Sequence, residues 1–120
     1  MLYRDSAFRI MEAGVRATWL QQQLHTHNVA NYETPNFKAK SMVFSDVLSR
    51  TRGADGRRAA ALNVRIVEDE GAVVRPDGNN VDLDAESLTL YKAYVHYSML
   101  LDKIRSEVNN TNYVVNNAAR

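Results

Sequence analysis

The chain has 120 residues, of which 45% are apolar, so it is long enough for one folded domain and too apolar for a disordered one. Its 15 basic and 14 acidic side chains leave a formal charge of +1, which gives no electrostatic reason to expect a nucleic-acid or membrane-surface partner. The absence of cysteine excludes disulfides, thiolate zinc sites and cysteine nucleophiles.

The N-terminal segment predicts a long amphipathic helix from about Asp5 to Ala30. Its apolar residues recur at steps of three and four, which places them on one helical stripe. The stripe consists of Ile10, Ala13, Ala17, Leu20 and Leu24. A helix of about 25 residues would be ~38 Å long, so it would extend beyond any compact core of this chain. We therefore expect the stripe to contact another long helix or another copy of the chain.

A polar segment ends this helix and closes the first predicted unit, residues 1–34. Asn28 and Asn31 are poor helix-interior residues because their side chains compete for backbone hydrogen bonds. Pro35 disfavours helix at the preceding residue and removes a backbone donor. We expect the chain to leave the helix here and to continue in an extended form.

The second unit, residues 35–82, is predicted to be a mostly extended insert. Near its start, the spacing of Phe44, Val47 and Leu48 predicts one or two short helical turns. A basic loop with two glycines and four arginines follows at residues 50–58. Such a loop could bind phosphate, but it lacks the interleaved aromatic residues that single-strand nucleic-acid binders use for stacking. We interpret it as a solvated loop.

The later part of the insert predicts a small β-hairpin. Residues 62–67 alternate apolar and polar side chains with period two, which indicates a half-buried strand. Residues 68–71 form an acidic turn, and residues 72–75 are a plausible returning strand. A lone hairpin is marginally stable in water, so it must pack against a helix or a neighbouring molecule.

The third unit, residues 83–120, predicts a second long helix. Asp84 is the expected N-cap, and Asp82 is the competing candidate. Apolar residues then recur with a mean period of 3.5, which is typical of a coiled-coil seam. The seam residues include Leu90, Tyr94, Tyr97, Leu101, Ile104 and Val108. Five asparagines weaken the helix propensity of the last turns, so we expect these turns to become ordered on assembly.

Together these elements predict a mainly α fold. Two long terminal amphipathic helices pair as a coiled coil, and a small β-hairpin-containing insert lies between them. The apolar stripes of both helices are wider than one chain can cover, which predicts a face for assembly with other molecules. This assembly face consists of Ile10, Ala13, Ala17, Leu20, Leu24, Leu90, Tyr94, Tyr97, Leu101, Ile104 and Val108.

No arrangement of residues in the sequence predicts catalysis, a cofactor or a metal site. His25 and His27 are two apart on a helix and point in different directions, and His96 has no ligand-type neighbour at metal-binding spacing. The acidic run 68–70 lacks the spaced oxygen ligands of a calcium loop. The chain has no nucleophile elbow, phosphate-binding loop or zincin helix. We therefore do not expect an enzyme.

The segment 28–38 resembles the N-terminal signature of bacterial flagellar axial proteins, approximately Asn-Ile-Ala-Asn-x-x-Thr-Pro-Gly-Tyr-Lys. The positions that match are Asn28, Ala30, Asn31, Thr34, Pro35 and Lys38. Val29 and Phe37 are conservative changes, and Asn36 replaces the glycine of the signature. Because asparagine also accepts a positive φ, we expect the turn at this position to be retained.

The segment 75–86 is similar to the sequence that precedes the C-terminal helix in flagellar rod proteins. The core of this second motif is Asp77, Gly78, Asn79, Asn80, Val81 and Asp82. In so short a chain, this form of the motif points to the proximal rod proteins. The two motifs and the layout around them cover nearly the whole chain, except for the central portion from Ser41 to Val74.

The resemblance implies a non-enzymatic building block of the flagellar basal-body rod, without cofactors. Proteins of this family are exported through the flagellar type III apparatus without a cleaved signal peptide and pack helically through their terminal helices. The implied partners are other copies, other rod proteins, the rod-to-ring adaptor, the MS-ring and the export gate, and the implied location is the periplasmic rod. The sequence fits this location in that it contains no signal-peptide h-region and no apolar run of the ~20 residues that span a bilayer.

An alternative from another class remains open at the level of the sequence. A small helical adaptor or export chaperone of a type III secretion system would also carry uncovered apolar stripes, because it binds a partner helix in a groove. Such a protein would form a discrete heterodimer, whereas a rod subunit would form a helical assembly.

Overall fold

The computed structural model describes residues 6–47, 61–71 and 74–119. It contains two helices, α1 (Ser6–Ala30) and α2 (Leu83–Ala118), and two strands between them, β1 (Lys40–Val47) and β2 (Ala61–Glu68). The helices pack against each other, and both strands contact α1. The predicted fold class, two long terminal helices around a small β insert, is confirmed.

The two helices run antiparallel and differ in length. Gly14 lies against Leu100, where the nearest approach of an added Cβ to the leucine methyl would be 3.2 Å. Near the other end of α1, His25 contacts Glu86. The two contacts show that residue numbers rise along α1 as they fall along α2, so the helices are antiparallel. They also give the register of the pair. Since α1 has 25 residues and α2 has 36, α2 extends well past the start of α1.

The insert forms a two-stranded antiparallel ribbon in which Lys40 is opposite Glu68 and Val47 is opposite Ala61. The predicted helical turns at Phe44 and Val47 are therefore wrong, since both residues belong to β1. Spacing alone could not separate a short apolar helix from a strand, and cross-strand pairing decides in favour of the strand. Leu48 and the basic loop 50–58 lie outside the described residues.

The predicted strand at residues 62–67 is confirmed as part of β2, but its predicted partner is wrong. It pairs with the earlier strand β1, whereas Val74 and Arg75 are not in a strand. Ala72 and Val73, the other half of the predicted returning strand, lie outside the described residues. The physical reason is local competition: the backbone of Arg75 is held in a turn, with its N–H donating to the Asn79 carbonyl at 2.9 Å.

The start of α2 also differs from the preferred prediction. Asp82, and not Asp84, is the N-cap, with its Oδ1 accepting from the N–H groups of Asp84 and Ala85 at 3.0 and 3.2 Å. Asp84 and Glu86 lie in the first turn, where the helix dipole favours negative charge. Asp82 has the extended backbone that an N-cap requires, with φ of −103° and ψ of 109°, and Val81 before it is buried, with its N–H donating to Asn79 Oδ1.

The core is small and lies near the junction of the helices and the ribbon. The buried apolar residues of the described part are Ala17, Leu24, Ala39, Met42, Val81 and Ala93. The largest fully buried side chains are polar, those of Asn28 and Asn79. The molecule is elongated, with extents of 70 × 31 × 14 Å. Neither described helix carries an apolar stretch of the length required to cross a bilayer.

Candidate assembly site

The two sequence motifs contact each other in the structure. The Asn36 N–H donates to the Asp77 carbonyl at 2.9 Å, and the Asn80 N–H donates to the Phe37 carbonyl at 3.3 Å. Lys38 Nζ donates to the Gly78 carbonyl at 2.6 Å. We call this region, residues 28–40 and 75–82, the junction. It joins the end of α1, the start of β1 and the start of α2.

Asn28 connects the last turn of α1 to the first residue of β1. Its side chain is fully buried. Its Nδ2 donates to the Lys40 carbonyl at 2.7 Å, and its Oδ1 accepts from the Lys40 N–H at 3.0 Å. The amide thus pairs with both backbone groups of Lys40, as a neighbouring strand would. This explains why an asparagine, a weak helix former, lies inside a helix at this position.

Asn79 holds the turn after α1 from the opposite side. It is also fully buried, and its Nδ2 donates to the carbonyls of Asn31 and Thr34, both at 2.8 Å. Its Oδ1 accepts from the Val81 N–H at 2.8 Å. One side chain therefore bonds to three backbone groups. The Asn31 and Thr34 carbonyls also accept from the N–H groups of Thr34 and Phe37, so the amide adds a second bond to each of them.

Asn80 bridges the end of the ribbon. Asp69 N–H donates to the Ala39 carbonyl at 2.9 Å, which continues the β ladder by one bond. The reciprocal bond is replaced by the Asn80 amide, whose Oδ1 accepts from the Ala39 N–H and whose Nδ2 donates to the Asp69 carbonyl, both at 2.6 Å. The chain that leads into α2 is thereby attached to both strands.

The junction also contains a close contact between two residues with positive φ. Gly78 has φ of 81°, and a Cβ at this position would lie 2.3 Å from Asn36 Oδ1. Asn36 has φ of 59°, so the prediction that asparagine retains the turn at this position is confirmed. Only glycine fits at residue 78, because a side chain would be strained and would overlap Asn36.

Two further contacts in this region were not predicted from the sequence. The Arg75 guanidinium stacks on the Tyr32 ring at 3.9 Å and donates to the Tyr32 carbonyl. His25 Nδ1 lies 2.5 Å from Glu86 Oε2, and only 7% and 12% of the two side chains are exposed. Both pairs join residues more than 40 positions apart, so no local sequence signal could have identified them.

The residues of the predicted assembly face differ in burial. Ala17 and Leu24 are buried within the chain. Five members are half-buried: Ala13, Leu90, Tyr97, Leu101 and Ile104. Four are exposed: Ile10, Leu20, Tyr94 and Val108. Part of the stripe is thus used for pairing α1 with α2, and the assembly role of the remainder stays a prediction.

The distal end of α2 has no partner helix in the described part of the chain. Given the register, Ser6 is opposite residues near 107, so residues 109–119 extend past the start of α1. We call this stretch the distal segment. Its apolar side chains are exposed, with 71% for Tyr113, 63% for Val114 and 60% for Val115.

The outer side of α2, turned away from α1, is apolar as well. Leu88, Tyr91 and Met99 are all more than half exposed. Their spacing places them on one stripe opposite to Glu86 and Ala93, which face α1 or are buried. Within residues 6–47, 61–71 and 74–119, no group of three metal-binding side chains comes together.

Comparison with known proteins gives a consistent set of relatives, although no protein-family model matches the chain. The chain is 27% identical over 110 residues to the flagellar basal body rod protein FlgB of Bacillus subtilis (strain 168), covering 80% of this chain and 82% of that protein. It is 28% identical to FlgB of Borrelia hermsii over 115 residues, with coverages of 80% and 85%. For FlgB of Escherichia coli (strain K12) the identity is 24% over 122 residues, with coverages of 87% and 88%. The resemblance predicted from the two motifs is confirmed: over most of its length this chain is similar to proteins named flagellar basal body rod protein FlgB.

Proposed function

We propose that this chain is a structural subunit of the bacterial flagellar basal-body rod, in its proximal part, and that it self-assembles through its terminal helices for cell motility. The similarity to proteins named FlgB supports the role as a rod subunit. The arrangement of the helices supports the assembly, because it leaves apolar surface uncovered at the end of α2 and along its outer side.

The observation that carries the proposal is the exposed distal segment. Helices in proteins are stabilised mainly by packing of an apolar face, and the asparagines of this segment lower its intrinsic helix propensity. The segment nevertheless continues the 3.5-residue seam through Val108 and Val115, which are both exposed. A neighbouring molecule that covers this seam would supply the packing that α1 supplies elsewhere.

The remaining parts of the proposal follow from the same role. The exposed members of the assembly face, Ile10, Leu20, Tyr94 and Val108, contact neighbouring subunits. Those neighbours are copies of this chain and other rod proteins, and at the base of the rod they are the rod-to-ring adaptor, the MS-ring and the export gate. The subunit is exported without a cleaved signal peptide and functions in the periplasm. The junction fixes the angle at which the two helices are presented.

A charge on the distal seam tests the proposal. Val115→Asp introduces a carboxylate at an exposed position, so the folded subunit should keep its helix content and melting temperature by circular dichroism. Burying that carboxylate between subunits is unfavourable, so a strain with this variant as its sole copy should not swim.

His96→Asp is the control, because it adds a carboxylate to an exposed position of α2 that lies outside both the seam and the outer stripe of Leu88, Tyr91 and Met99. This strain should swim normally. A motile Val115→Asp strain, with the variant protein present in purified basal bodies, would contradict assembly through the distal seam.

A further inference from the structure

Two stretches of the sequence contain no Asp, Glu, Lys or Arg residue. One is the stretch of α1 and the following turn from Ala17 to Tyr32, and the other is residues 108–119 of α2. In a chain with 24% charged residues, both stretches are unusually neutral. The cores of protein interfaces are likewise depleted in charged residues, because burying an unpaired charge is costly.

The neutral part of α1 contains a surface depression with a volume of about 430 Å³. It is lined by Trp19, Gln22, Gln23, Thr26, His27 and Ala30. Trp19 and Gln23 lie on the side of α1 turned away from Gly14, which faces α2. The Trp19 side chain is 52% exposed, although tryptophan is a residue that interfaces commonly bury as an anchor.

A polar group in this depression has no hydrogen-bond partner. Gln22 Nε2 is buried and donates to no acceptor among the described residues. Such a donor is unfavourable in an isolated molecule, and a small rotation of the Gln22 side chain would bring it to a carbonyl group of a partner in the depression. The depression therefore suits a partner that offers both apolar surface for Trp19 and amide groups for Gln22 and Gln23.

The distal segment of α2 has this chemistry. It presents exposed Tyr113, Val114 and Val115, interspersed with asparagine side chains whose amides both donate and accept. It is about 16 Å long, and the stretch of α1 from Trp19 to Ala30 that lines the depression is about 18 Å long. The two surfaces thus match in length, in neutrality and in the type of polar group.

These surfaces cannot meet within one molecule. The depression lies toward the junction end of α1, whereas the distal segment lies past the opposite end of α1, in a molecule 70 Å long. A contact between them must join two copies. The contact is heterologous, because different surfaces of the two copies meet. Repeated from copy to copy, it gives a closed ring or an open helical filament, depending on the rotation between neighbouring copies.

We propose that the distal segment of α2 of one copy docks in the Trp19 depression on α1 of the next copy. The inference rests on the proposed assembly function and adds to it the two surfaces that meet. A second copy is the occupant because both complementary surfaces belong to this chain and neither finds its complement within the described molecule. Neither the lining of the depression nor the distal segment contains an Asp, Glu, Lys or Arg side chain that docking would desolvate.

Site-directed cross-linking tests the contact, and the absence of native cysteine makes it specific. The variant Thr26→Cys/Asn112→Cys carries one thiol on each surface, at two exposed positions. Motile cells with this variant as sole copy are treated with a bis-maleimide reagent of about 10 Å span. Because each molecule has one thiol of each type, we expect dimers, trimers and longer products on denaturing gels.

The controls separate this contact from accidental proximity. Each single-cysteine variant should give no product larger than a dimer. The pair Thr26→Cys/Asp102→Cys, with the second thiol at an exposed position outside the distal segment, should give no ladder. If the first double variant does not swim, Gln23→Cys/Asn116→Cys replaces it, since these residues belong to the same two surfaces.

The outcomes distinguish this inference from the proposed function. Motile cells without a ladder would overturn the docking and leave the rod function intact. A ladder that forms equally with the Asp102→Cys pair would also overturn it. Normal swimming of the Val115→Asp strain would overturn assembly through the distal seam itself. A ladder confined to the matched pair is the expected result.

A pair of opposite charges, one introduced on each surface, provides a second test that does not depend on thiol geometry. Gln23→Lys places a cation in the depression at an exposed position and should reduce the swimming rate at least several-fold without changing the helix content. Adding Asn112→Glu or Asn116→Glu on the distal segment should restore motility if the two surfaces meet. Failure of both second-site changes, while Gln23→Lys alone prevents swimming, would contradict the pairing.

Discussion

The junction and the distal segment are opposite in character, although both are rich in asparagine. At the junction, the amides of Asn28, Asn79 and Asn80 are buried and bond to backbone groups of other segments. In the distal segment the asparagines are exposed, beside exposed Tyr113 and Val115. The comparison shows one residue type in two roles: at the junction it completes the fold of the single chain, and in the distal segment it stays exposed, where we propose that a neighbouring molecule binds.

Of the substitutions that test this difference, Asn79→Ala should have the largest effect on the free energy of unfolding. The change removes three hydrogen bonds, to the Asn31 and Thr34 carbonyls and from the Val81 N–H, and it leaves a cavity at a fully buried position. We expect the free energy of unfolding to fall by about 4 kcal/mol, measured by urea denaturation.

The control for Asn79→Ala is Asn110→Ala in the exposed distal half of α2, which should change the free energy of unfolding by less than about 0.5 kcal/mol. Equal effects of the two substitutions would show that the buried and exposed asparagines do not differ in the way described.

Gly78→Ala should have the next largest effect. The new Cβ would overlap Asn36 Oδ1, at a residue whose φ of 81° disfavours any side chain. We expect a loss of about 3 kcal/mol in the free energy of unfolding. Gly71→Ala is the matched control, because its nearest neighbouring atom would be 3.8 Å away, and it should be nearly neutral. A stable Gly78→Ala variant would mean that the turn at Asn36 can move.

Glu86→Gln tests the buried pair that connects the helices at the junction end. Glutamine can still accept a hydrogen bond from His25, but the assistance of the negative charge is lost, so we expect a loss of about 1 kcal/mol. The exposed pair of Glu107 and Lys103 provides the comparison, and Glu107→Gln should cost at most about 0.5 kcal/mol. Thermal melts of both variants would compare the two losses of stability. A larger loss for Glu107→Gln would contradict the prediction that the buried pair contributes more than the exposed pair.

Gly14→Ala, which lies on α1 between the two regions, should have the smallest effect on the free energy of unfolding. Alanine has a higher helix propensity than glycine by up to about 1 kcal/mol. The added methyl would lie 3.2 Å from a Leu100 methyl, and this half-buried leucine can move by a small side-chain rotation. We expect a net gain of about 0.5 kcal/mol in the free energy of unfolding. A loss would show that the helices are packed too closely at this point to accept a methyl group.

The helices could be predicted from the sequence because their signals are periodic and long. The end of α1 at Ala30 follows from Asn31 and Pro35, and the seam of α2 follows from its 3.5-residue period. The strand β1 could not be predicted in this way. Its identity depends on pairing with β2, more than ten residues away along the chain, and that pairing is not encoded in local spacing.

The candidate site shows the same division between local and distant information. The two motifs identify the junction residues, including Asn28, Asn79 and Gly78, but not the bonds that they form. The bonds of Asn28 to Lys40 and of Asn79 to Asn31 join residues 12 and 48 positions apart, so only the folded chain brings these partners together. The contacts of Arg75 with Tyr32 and of His25 with Glu86 were missed for this reason.

The ribbon has a practical consequence for engineering. Val47 and Ala61 are directly opposite each other, so the connection between the two strands begins and ends at neighbouring backbone positions. The entropy lost on closing a loop grows only with the logarithm of its length, and doubling the length costs about 0.6 kcal/mol. A short epitope tag placed between these residues should therefore leave the orientation of both helices unchanged, which makes it a suitable position for labelling the subunit.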